Sequence, residues 1–378
     1  MNFLESAFAL LSPCSSTKTL PFMLQEFPPV EAMNEAMKLK EFALKIGLSQ
    51  TTVSRALSGY PEVSEATRAR VMDEANRLGY RPNINAVRLA TGRAGAIGVV
   101  MSRAGEYQFS EFMSGMAERL GREDIDILVT PMAEQDSRDE LQIYKRLAES
   151  RRVDAVVIHS PRPDDPRIAL LHQLKIPFIV HGRSQTDVPH AWLDIDNEGA
   201  IRRATDHLLD LGHRRIALIN GNEGLTFTRH RDLGYRSALQ ARDIPYDASI
   251  VAHGNFTDEV GFRLARTALE QCPRPTAIVA GSMMTALGVY RAARAMNLGI
   301  GMDLSVIAHD DVFPYLTADN MAPSLSTTRS SIRAAGTRIA DLLLQILAGR
   351  DPVEIQELWP VELILRDSSK PAPRDLSA

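Results

Sequence analysis

Between residues 94 and 368, short apolar runs alternate with segments of helical periodicity. This alternation is typical of parallel sheets with helices on both faces. Strands are predicted over Ile97–Met101, Ile125–Thr130, Ala155–His159, Phe178–His181, Ile216–Asn220, Ala277–Ala280 and Val306–His309. Helices are predicted over 110–121, 137–150, 197–211, 257–270, 284–296 and 332–347. The segment is long for one such sheet, so we expect two similar lobes.

Charge separates this large segment from a smaller one before it. The chain of 378 residues has a net charge of −4, yet residues 37–93 carry ten Lys and Arg against five Asp and Glu. A small basic module joined to a larger acidic one indicates a nucleic-acid reader attached to a second function. Two cysteines exclude a disulfide framework and a four-cysteine zinc site. No apolar run approaches the ~18 residues of a spanning helix. Without a spanning helix or a disulfide framework, we expect a reduced, cytoplasmic protein.

The basic segment has the pattern of three short helices. Apolar side chains in 39–46 recur at the spacing of one helical face, and Gly47 then permits a tight turn. Ser49 is a good N-cap for the second helix, and Ser64 for the third. A small residue in the first helix, the turn glycine and the β-branched Val53 together predict a helix-turn-helix.

Polar side chains of the second helix face away from its apolar stripe. Gln reads adenine and Arg reads guanine with paired hydrogen bonds in the major groove, whereas hydroxyl groups suit phosphate oxygens. The candidate DNA contacts are Gln50, Thr51, Thr52, Ser54, Arg55 and, after the third helix, Tyr80. For each of them the alternative is an ordinary solvated surface residue.

These residues belong to a longer signature. Its residues are Ala43, Gly47, Ser49, Thr52-Val53-Ser54-Arg55, Leu57, Gly59, Val63, Ser64, Thr67, Arg68, Leu78-Gly79-Tyr80 and Pro82-Asn83. With this signature, residues 37–93 resemble the N-terminal reader of the lactose-repressor family of bacterial transcription regulators, and the resemblance continues to about residue 368. The resemblance implies a helix-turn-helix domain over 37–82 and a hinge helix with linker over 83–94. The hinge helix would enter the minor groove from Asn83, with Leu89 as the wedge between base steps.

For residues 95–368 the resemblance implies the two-lobed fold of periplasmic sugar-binding proteins. The first lobe would contain 95–195 and 326–354, and the second 196–325 and 355–368. Residues 1–36 have no sustained period and contain four prolines, so we expect an unstructured extension there. Residues 369–378 are expected to form a tail.

Ligands of parallel sheets bind beyond the carboxyl ends of the strands. A sugar site needs planar polar groups for neighbouring hydroxyls and an aromatic face for the ring. The resemblance matches Arg231 to the Arg of an Arg-x-x-Gly-aromatic motif, which binds effector in the family. It matches Asp310 to the first of two Asp residues at a strand end, which often binds effector in the family. Ser282 stands where most members have Asn. The candidate effector contacts are Phe109, Arg183, Trp192, Phe227, Arg231, Ser282 and Asp310.

The sequence therefore predicts a homodimeric repressor of carbohydrate-use genes, which binds double-stranded operator DNA and a small sugar-like effector. Residues 181–197 resemble regulators of α-glucoside use. A nucleobase or a phosphosugar stays open as the effector, and a solute-binding protein of transport is the other function class. No catalytic constellation is found, and the histidines lack ligand spacing. We expect no enzyme activity, no metal, no cofactor and no membrane contact.

Overall fold

The computed structural model describes residues 37–57, 60–81, 92–102, 106–132, 137–310 and 316–373. It divides into two compact units, residues 1–90 and 91–378. The predicted extension over 1–36 and the predicted hinge helix, with Asn83 and Leu89, lie outside the described residues. No helix among the described residues has the length and apolar character needed to cross a membrane.

The first unit has the three helices that its sequence predicts. They are α1 (Leu39–Ile46), α2 (Gln50–Leu57) and α3 (Glu65–Leu78). Gly47 ends α1 in the left-handed region at φ 68°, where a side chain would be strained. The hydroxyl of Ser49 accepts a hydrogen bond from the Thr52 N–H, and that of Ser64 accepts from the Thr67 N–H. The predicted turn and both N-caps are confirmed.

The second unit is built on two six-stranded sheets. The strand order is β11-β5-β4-β3-β1-β2 in the first sheet and β12-β10-β9-β8-β6-β7 in the second, and only β12 pairs antiparallel. The strands are β1 (Ala96–Ser102), β2 (Asp126–Met132), β3 (Ala155–His159), β4 (Phe178–His181), β5 (Ala191–Ile195), β6 (Ile216–Asn220), β7 (Val251–His253), β8 (Ala277–Ala280), β9 (Ser305–His309), β10 (Ser326–Arg329), β11 (Gln356–Trp359) and β12 (Glu362–Ile364). The predicted parallel α/β architecture with two lobes is confirmed.

Helices cover both faces of each sheet. They are α4 (Glu106–Leu120), α5 (Ser137–Glu149), α6 (Pro166–Gln173), α7 (Asn197–Asp210), α8 (Thr226–Gln240), α9 (Asp258–Leu269), α10 (Met283–Ala295) and α11 (Ile332–Leu347). The six predicted helices of this unit are confirmed, whereas α6 and α8 were not predicted. Helices α4 and α11 cross so closely that a Cβ atom on Gly336 would lie 2.0 Å from the Phe112 carbonyl oxygen. This crossing places the aromatic residues of α4 over the first sheet.

The chain passes between the lobes three times, and two of the predicted boundaries are wrong. Strand β10, assigned to the first lobe from sequence, pairs with β9 and β12 of the second sheet. Strand β11, assigned to the second lobe, pairs with β5 of the first sheet. The chain therefore passes between the lobes after β10 and again after β11, whereas the predicted passages lie before these strands. Because neither strand contains an apolar run, its partner in the sheet could not be predicted from the residues alone.

The expected C-terminal tail over 369–378 is also corrected for its first five residues. The Lys370 N–H donates to Ser305 Oγ, and the Lys370 carbonyl oxygen lies 3.0 Å from the His213 Nε2. The Ala372 N–H donates to the Leu211 carbonyl oxygen. Residues 369–373 are thus bonded to the second lobe, because buried polar groups there would otherwise be unpaired.

Candidate functional site

A cleft lies between the carboxyl ends of the two sheets. It has two adjoining compartments with cavity volumes of about 80 and 260 Å³. His159, Ser160, Phe227 and Phe256 line both compartments. Small-molecule sites range from about 300 Å³ upwards, so the two compartments together have the size of a site for one small ligand.

Arg231 is the central cation of the smaller compartment. It lies on α8 and is only 4% exposed. Its Nε–H donates to Asn197 Oδ1 and its Nη1–H to the Gly281 carbonyl oxygen, both at 2.8 Å. Its guanidinium lies 4.8 Å from the Phe227 ring centroid and 5.6 Å from that of Phe256. The remaining nitrogen, Nη2, donates no hydrogen bond within the described part of the chain. Its N–H groups are therefore available to a ligand.

Burial lowers the pKa of Arg231 to about 10, while the carboxylates of Asp310 and Asp194 act in the opposite direction. The guanidinium therefore stays charged at neutral pH. Asp310 is 3% exposed and has left-handed backbone at φ 65°, where its N–H donates to the Thr328 carbonyl oxygen at 2.7 Å. A non-glycine residue in this conformation is uncommon and is over-represented at functional sites.

A second charged pair, Arg183 and Asp194, lies on the first-lobe side of the smaller compartment. The Arg183 Nε–H donates to Asp194 Oδ2 at 2.9 Å, and the Arg183 guanidinium lies 5.7 Å from the Trp192 ring centroid. Burial raises the pKa of Asp194, although Arg183 opposes the shift. His230 of the second lobe lies 3.5 Å from Arg183 Nη2. The pair thus presents a fixed donor and a fixed acceptor at the boundary between the lobes.

The larger compartment has a buried ionic wall that the sequence did not predict. The Arg167 Nη1–H donates to Glu140 Oε1 at 2.8 Å, and its Nε–H donates to Asp165 Oδ1 at 2.8 Å. Arg162 donates to the other Glu140 oxygen at 2.6 Å. Asn222 and Asn255, which bond each other at 2.6 Å, face this wall from the second lobe. All of these groups are planar, and such groups form paired hydrogen bonds with neighbouring hydroxyls.

Five of the seven predicted effector contacts line the cleft. Arg183, Phe227, Arg231 and Asp310 line the smaller compartment, and Phe109 and Phe227 line the larger. Trp192 does not line either compartment, because its ring packs into the core of the first lobe. Ser282 is 1% exposed and caps α10 by accepting the Thr285 N–H. Its hydroxyl is therefore used within the fold.

Other cleft residues were missed. They include His159, His181, Asp194, Asn197, Phe256 and Glu140. Two of these had a signal: His159 and His181 are the polar last residues of otherwise apolar strands. Asp194 and Phe256 lie on or after strands that were not predicted, and Glu140 and Asn197 lie on predicted helices, where the sequence alone does not show which polar side chains are buried.

Five of the candidate DNA contacts lie on α2 of the first unit. Gln50, Thr51 and Arg55 are exposed on α2, and Thr52 and Ser54 are partly exposed. Tyr80 differs, because its ring is 7% exposed and stacks on Phe42 at 4.2 Å between centroids. Tyr80 is thus a core residue of this unit, and a phosphate contact through its hydroxyl stays a prediction.

Comparison with known proteins assigns both units. The model of "bacterial regulatory proteins, lacI family" matches residues 38–83, and that of "periplasmic binding proteins and sugar binding domain of LacI family" matches residues 94–362. The chain belongs to the LacI family. As a LacI-family protein it is a DNA-binding transcription regulator, and its reader and two-lobed core are the parts that these two models describe.

Among its relatives, the transcriptional regulator AglR of Rhizobium meliloti is 47% identical over 89% of this chain and 95% of its own length. A solved structure of the lac repressor dimer bound to operator and an anti-inducer has a TM-score of 0.77 and 26% identity, over 89% of this chain and all of the other. A complex of the regulator CelR with cellobiose has a TM-score of 0.65 and 28% identity, over 88% and 99% of the two chains.

Proposed function

We propose that this protein represses genes of carbohydrate use by binding operator DNA as a homodimer through α2, and that a small neutral sugar in the cleft changes its operator affinity. Repressors with two-fold symmetry bind palindromic half-sites with one recognition helix each. The exposed Gln50 and Arg55 on α2 supply the base contacts. The protein acts in the cytoplasm, where bacterial DNA is found, and binds without catalysis.

The charge balance of the cleft is the observation that supports a neutral effector. Among the described residues, four cations line the two compartments with three anions, and a fourth anion, Asp165, is bonded to Arg167 behind this lining. The cations are Arg162, Arg167, Arg183 and Arg231, and the lining anions are Glu140, Asp194 and Asp310. A phosphosugar carries nearly two negative charges at neutral pH, and the described cations of this cleft are matched by as many described carboxylates, which leaves no excess of positive charge among them to offset those charges. Neutral hydroxyls, by contrast, bond to fixed donors and acceptors without a change in charge.

A nucleobase fits less well. A flat base binds by stacking on an aromatic face, and Phe227 and Phe256 are the aromatic rings shared by both compartments. These rings are tilted by 38° and both lie against the Arg231 guanidinium. Their faces are therefore already covered in part by a cation, and a sugar that hydrogen-bonds to the edge of this cluster is the better ligand.

α-Glucosides are the proposed sugar class. The segment 181–197, which resembles regulators of α-glucoside use, supplies His181, Arg183, Asp194 and Asn197 to the smaller compartment. The relative CelR has been solved as a complex with cellobiose, which is a neutral sugar, and this supports a neutral sugar as the effector here. A transport protein with the same core would have no use for α1, α2 and α3.

The test is an operator titration of the full chain. A palindromic operator is first selected from random duplex DNA, and its affinity is then measured with maltose, trehalose, sucrose, cellobiose, glucose 6-phosphate or adenosine. We expect at least one neutral sugar to change the operator dissociation constant by tenfold or more, which is about 1.4 kcal/mol. A response to glucose 6-phosphate or adenosine alone would contradict the proposed effector class. Failure to select any operator would contradict the proposal as a whole.

A further inference from the structure

A pair of histidines lines the cleft next to the predicted contacts. His159 ends β3 and His181 ends β4, and the two residues are partners in the register of these parallel strands. Their Nδ1 atoms are 2.9 Å apart. Phe112 stacks on the His181 ring at 4.6 Å between centroids and lies 5.3 Å from the His159 ring. The two imidazoles are therefore held side by side in fixed orientations.

Both imidazoles are neutral at neutral pH. Burial, with a smaller effect of the nearby Arg167 cation, lowers the pKa of His159 to about 4. Burial and the neighbouring His159 place the pKa of His181 well below its ordinary value. Each ring therefore carries one proton on one of its two nitrogens.

The contact between the two Nδ1 atoms decides where these protons lie. One ring must donate its Nδ1–H to the bare Nδ1 of the other, since two bare or two protonated nitrogens would repel. The donating ring then has a bare Nε2, which accepts, and the accepting ring has an Nε2–H, which donates. Within the described residues neither Nε2 has a hydrogen-bond partner. The pair thus offers one acceptor and one donor to a ligand.

We propose that His159 and His181 form a hydroxyl-reading pair, which binds two neighbouring hydroxyls of one sugar ring through one acceptor nitrogen and one N–H donor. The inference rests on the proposed function and adds a specificity determinant to it. A hydroxyl both donates and accepts, so two adjacent hydroxyls satisfy both nitrogens. A phosphate at neutral pH chiefly accepts, and it would leave the bare Nε2 unpaired, which is costly in a buried site. The pair therefore selects polyols over phosphorylated ligands.

The proton between the rings adds a second property. Either ring can supply the Nδ1–H, and the roles of the two Nε2 atoms are exchanged when both rings change tautomer: the Nδ1 proton crosses to the other ring, and a second proton passes through the solvent of the cleft from one Nε2 to the other. The pair can therefore match either direction of the hydrogen bonds between two neighbouring hydroxyls. Fixed groups such as Arg231 and Asp310 lack this freedom, since a guanidinium only donates and a carboxylate only accepts.

Asn and Gln substitutions separate the two nitrogens. An Asn amide lies near the position of the imidazole Nδ1 and does not reach that of Nε2, whereas a Gln amide extends to the Nε2 position. We would compare the full-length wild type with His159→Asn, His181→Asn and His181→Gln. The matched control is His172→Asn, an exposed histidine of α6 in the same lobe. The probe is whichever of maltose, trehalose, sucrose and cellobiose changes operator affinity most, measured by calorimetry and by operator titration.

We expect both Asn variants to bind this sugar at least tenfold more weakly, His181→Gln to stay within about threefold of the wild type, and the control to be unchanged. Operator affinity without sugar should be unchanged in all four variants. Asn variants that bind the sugar within twofold of the wild type would overturn the inference and leave the proposed function standing. If none of the four sugars acts on the wild type, both the function and the inference fail. Thermal melting shows which variants are folded. If His159→Asn does not fold, the sugar affinity of His181→Asn decides the test.

Discussion

The replacement of Arg231 by Ala tests the cleft most directly. Its side chain makes two hydrogen bonds within the second lobe and lies against two aromatic rings, so the substitution affects stability as well as binding. Removing one member of a buried charged cluster costs about 3–5 kcal/mol. Because domains of this kind have about 5–15 kcal/mol in total, we expect Arg231→Ala to fold with a lowered melting temperature.

The loss of sugar affinity is separate from this loss of stability and is estimated from the hydrogen bond that Arg231 would donate to the ligand. A hydrogen bond from a charged donor contributes about 1.5–3 kcal/mol, which corresponds to roughly a 10- to 150-fold loss of sugar affinity for one bond. The expected variant binds operator like the wild type at a temperature where it is folded, yet no longer responds to sugar. No DNA contact is altered, so operator affinity without sugar should not change.

The assay is operator titration with and without a saturating neutral sugar, together with thermal melting. Arg236→Ala is the matched control, because Arg236 lies on the same helix, is bonded to Asp232 and does not line the cleft. A response to sugar that survives in Arg231→Ala would refute the assignment of this residue to effector binding. Loss of operator binding by a folded Arg231→Ala, without sugar, would show that it serves only the scaffold.

Three further predictions concern other parts of the chain. Arg55→Ala should cost about 1–3 kcal/mol at the selected operator and relax one base position, while salt-dependent binding to random DNA stays unchanged; an equal loss on both would indicate a phosphate contact. Gly336→Ala should lower stability by about 1–3 kcal/mol in urea melts, because the new methyl group overlaps the Phe112 carbonyl, whereas the uncrowded Gly121→Ala should be near neutral. The folded pKa of His159, about 4, lies below its unfolded value of 6.5, so its contribution to stability is complete above pH 6.5 and is lost as the pH falls toward 4; about 3 kcal/mol should disappear, and the urea midpoint should fall further between pH 7 and pH 4.5 in the wild type than in His159→Gln.

The fold was predictable where strands are apolar and helices are long. All seven predicted strands exist, and six of them are buried on both faces of their sheet and therefore read as continuous apolar runs. The seventh, β2, is a partly exposed edge strand whose apolar run was still sufficient to identify it. Strand β10 shows why others were missed. Ser326, Thr327 and Thr328 are fully buried, and their hydroxyls and backbone bond partly to Arg366 and Ser368 of the C-terminal segment. A polar strand whose partners lie about 40 residues away leaves no local pattern.

The site was predictable only in part, for a related reason. Arg231 and Asp310 were predicted because they are planar polar residues that follow a predicted strand, and the family resemblance gave each a role. Asp194 and Glu140 were not found, because carboxylates are common on surfaces and only the fold shows that these two are buried beside Arg183 and Arg167. Sequence position can show that a residue is near a strand end, whereas burial and partners depend on elements far away in the chain.

The lobes are joined at the mouth of the cleft by contacts that a ligand would reinforce. The Thr226 N–H of α8 donates to the Pro161 carbonyl oxygen of the first lobe at 2.9 Å, and Arg229 donates to Gln185 at 3.1 Å. A sugar that contacts His181 in the first lobe and Arg231 in the second gains both sets of bonds only when the lobes are arranged in this way. Its affinity must then differ between lobe arrangements, and a ligand shifts a conformational equilibrium only through such a difference. The same difference, typically about 1–3 kcal/mol, limits how strongly the sugar can alter operator affinity. Gln185→Ala removes the hydrogen bond from Arg229 across the mouth of the cleft. It should therefore reduce the response to sugar without changing operator affinity in the absence of sugar.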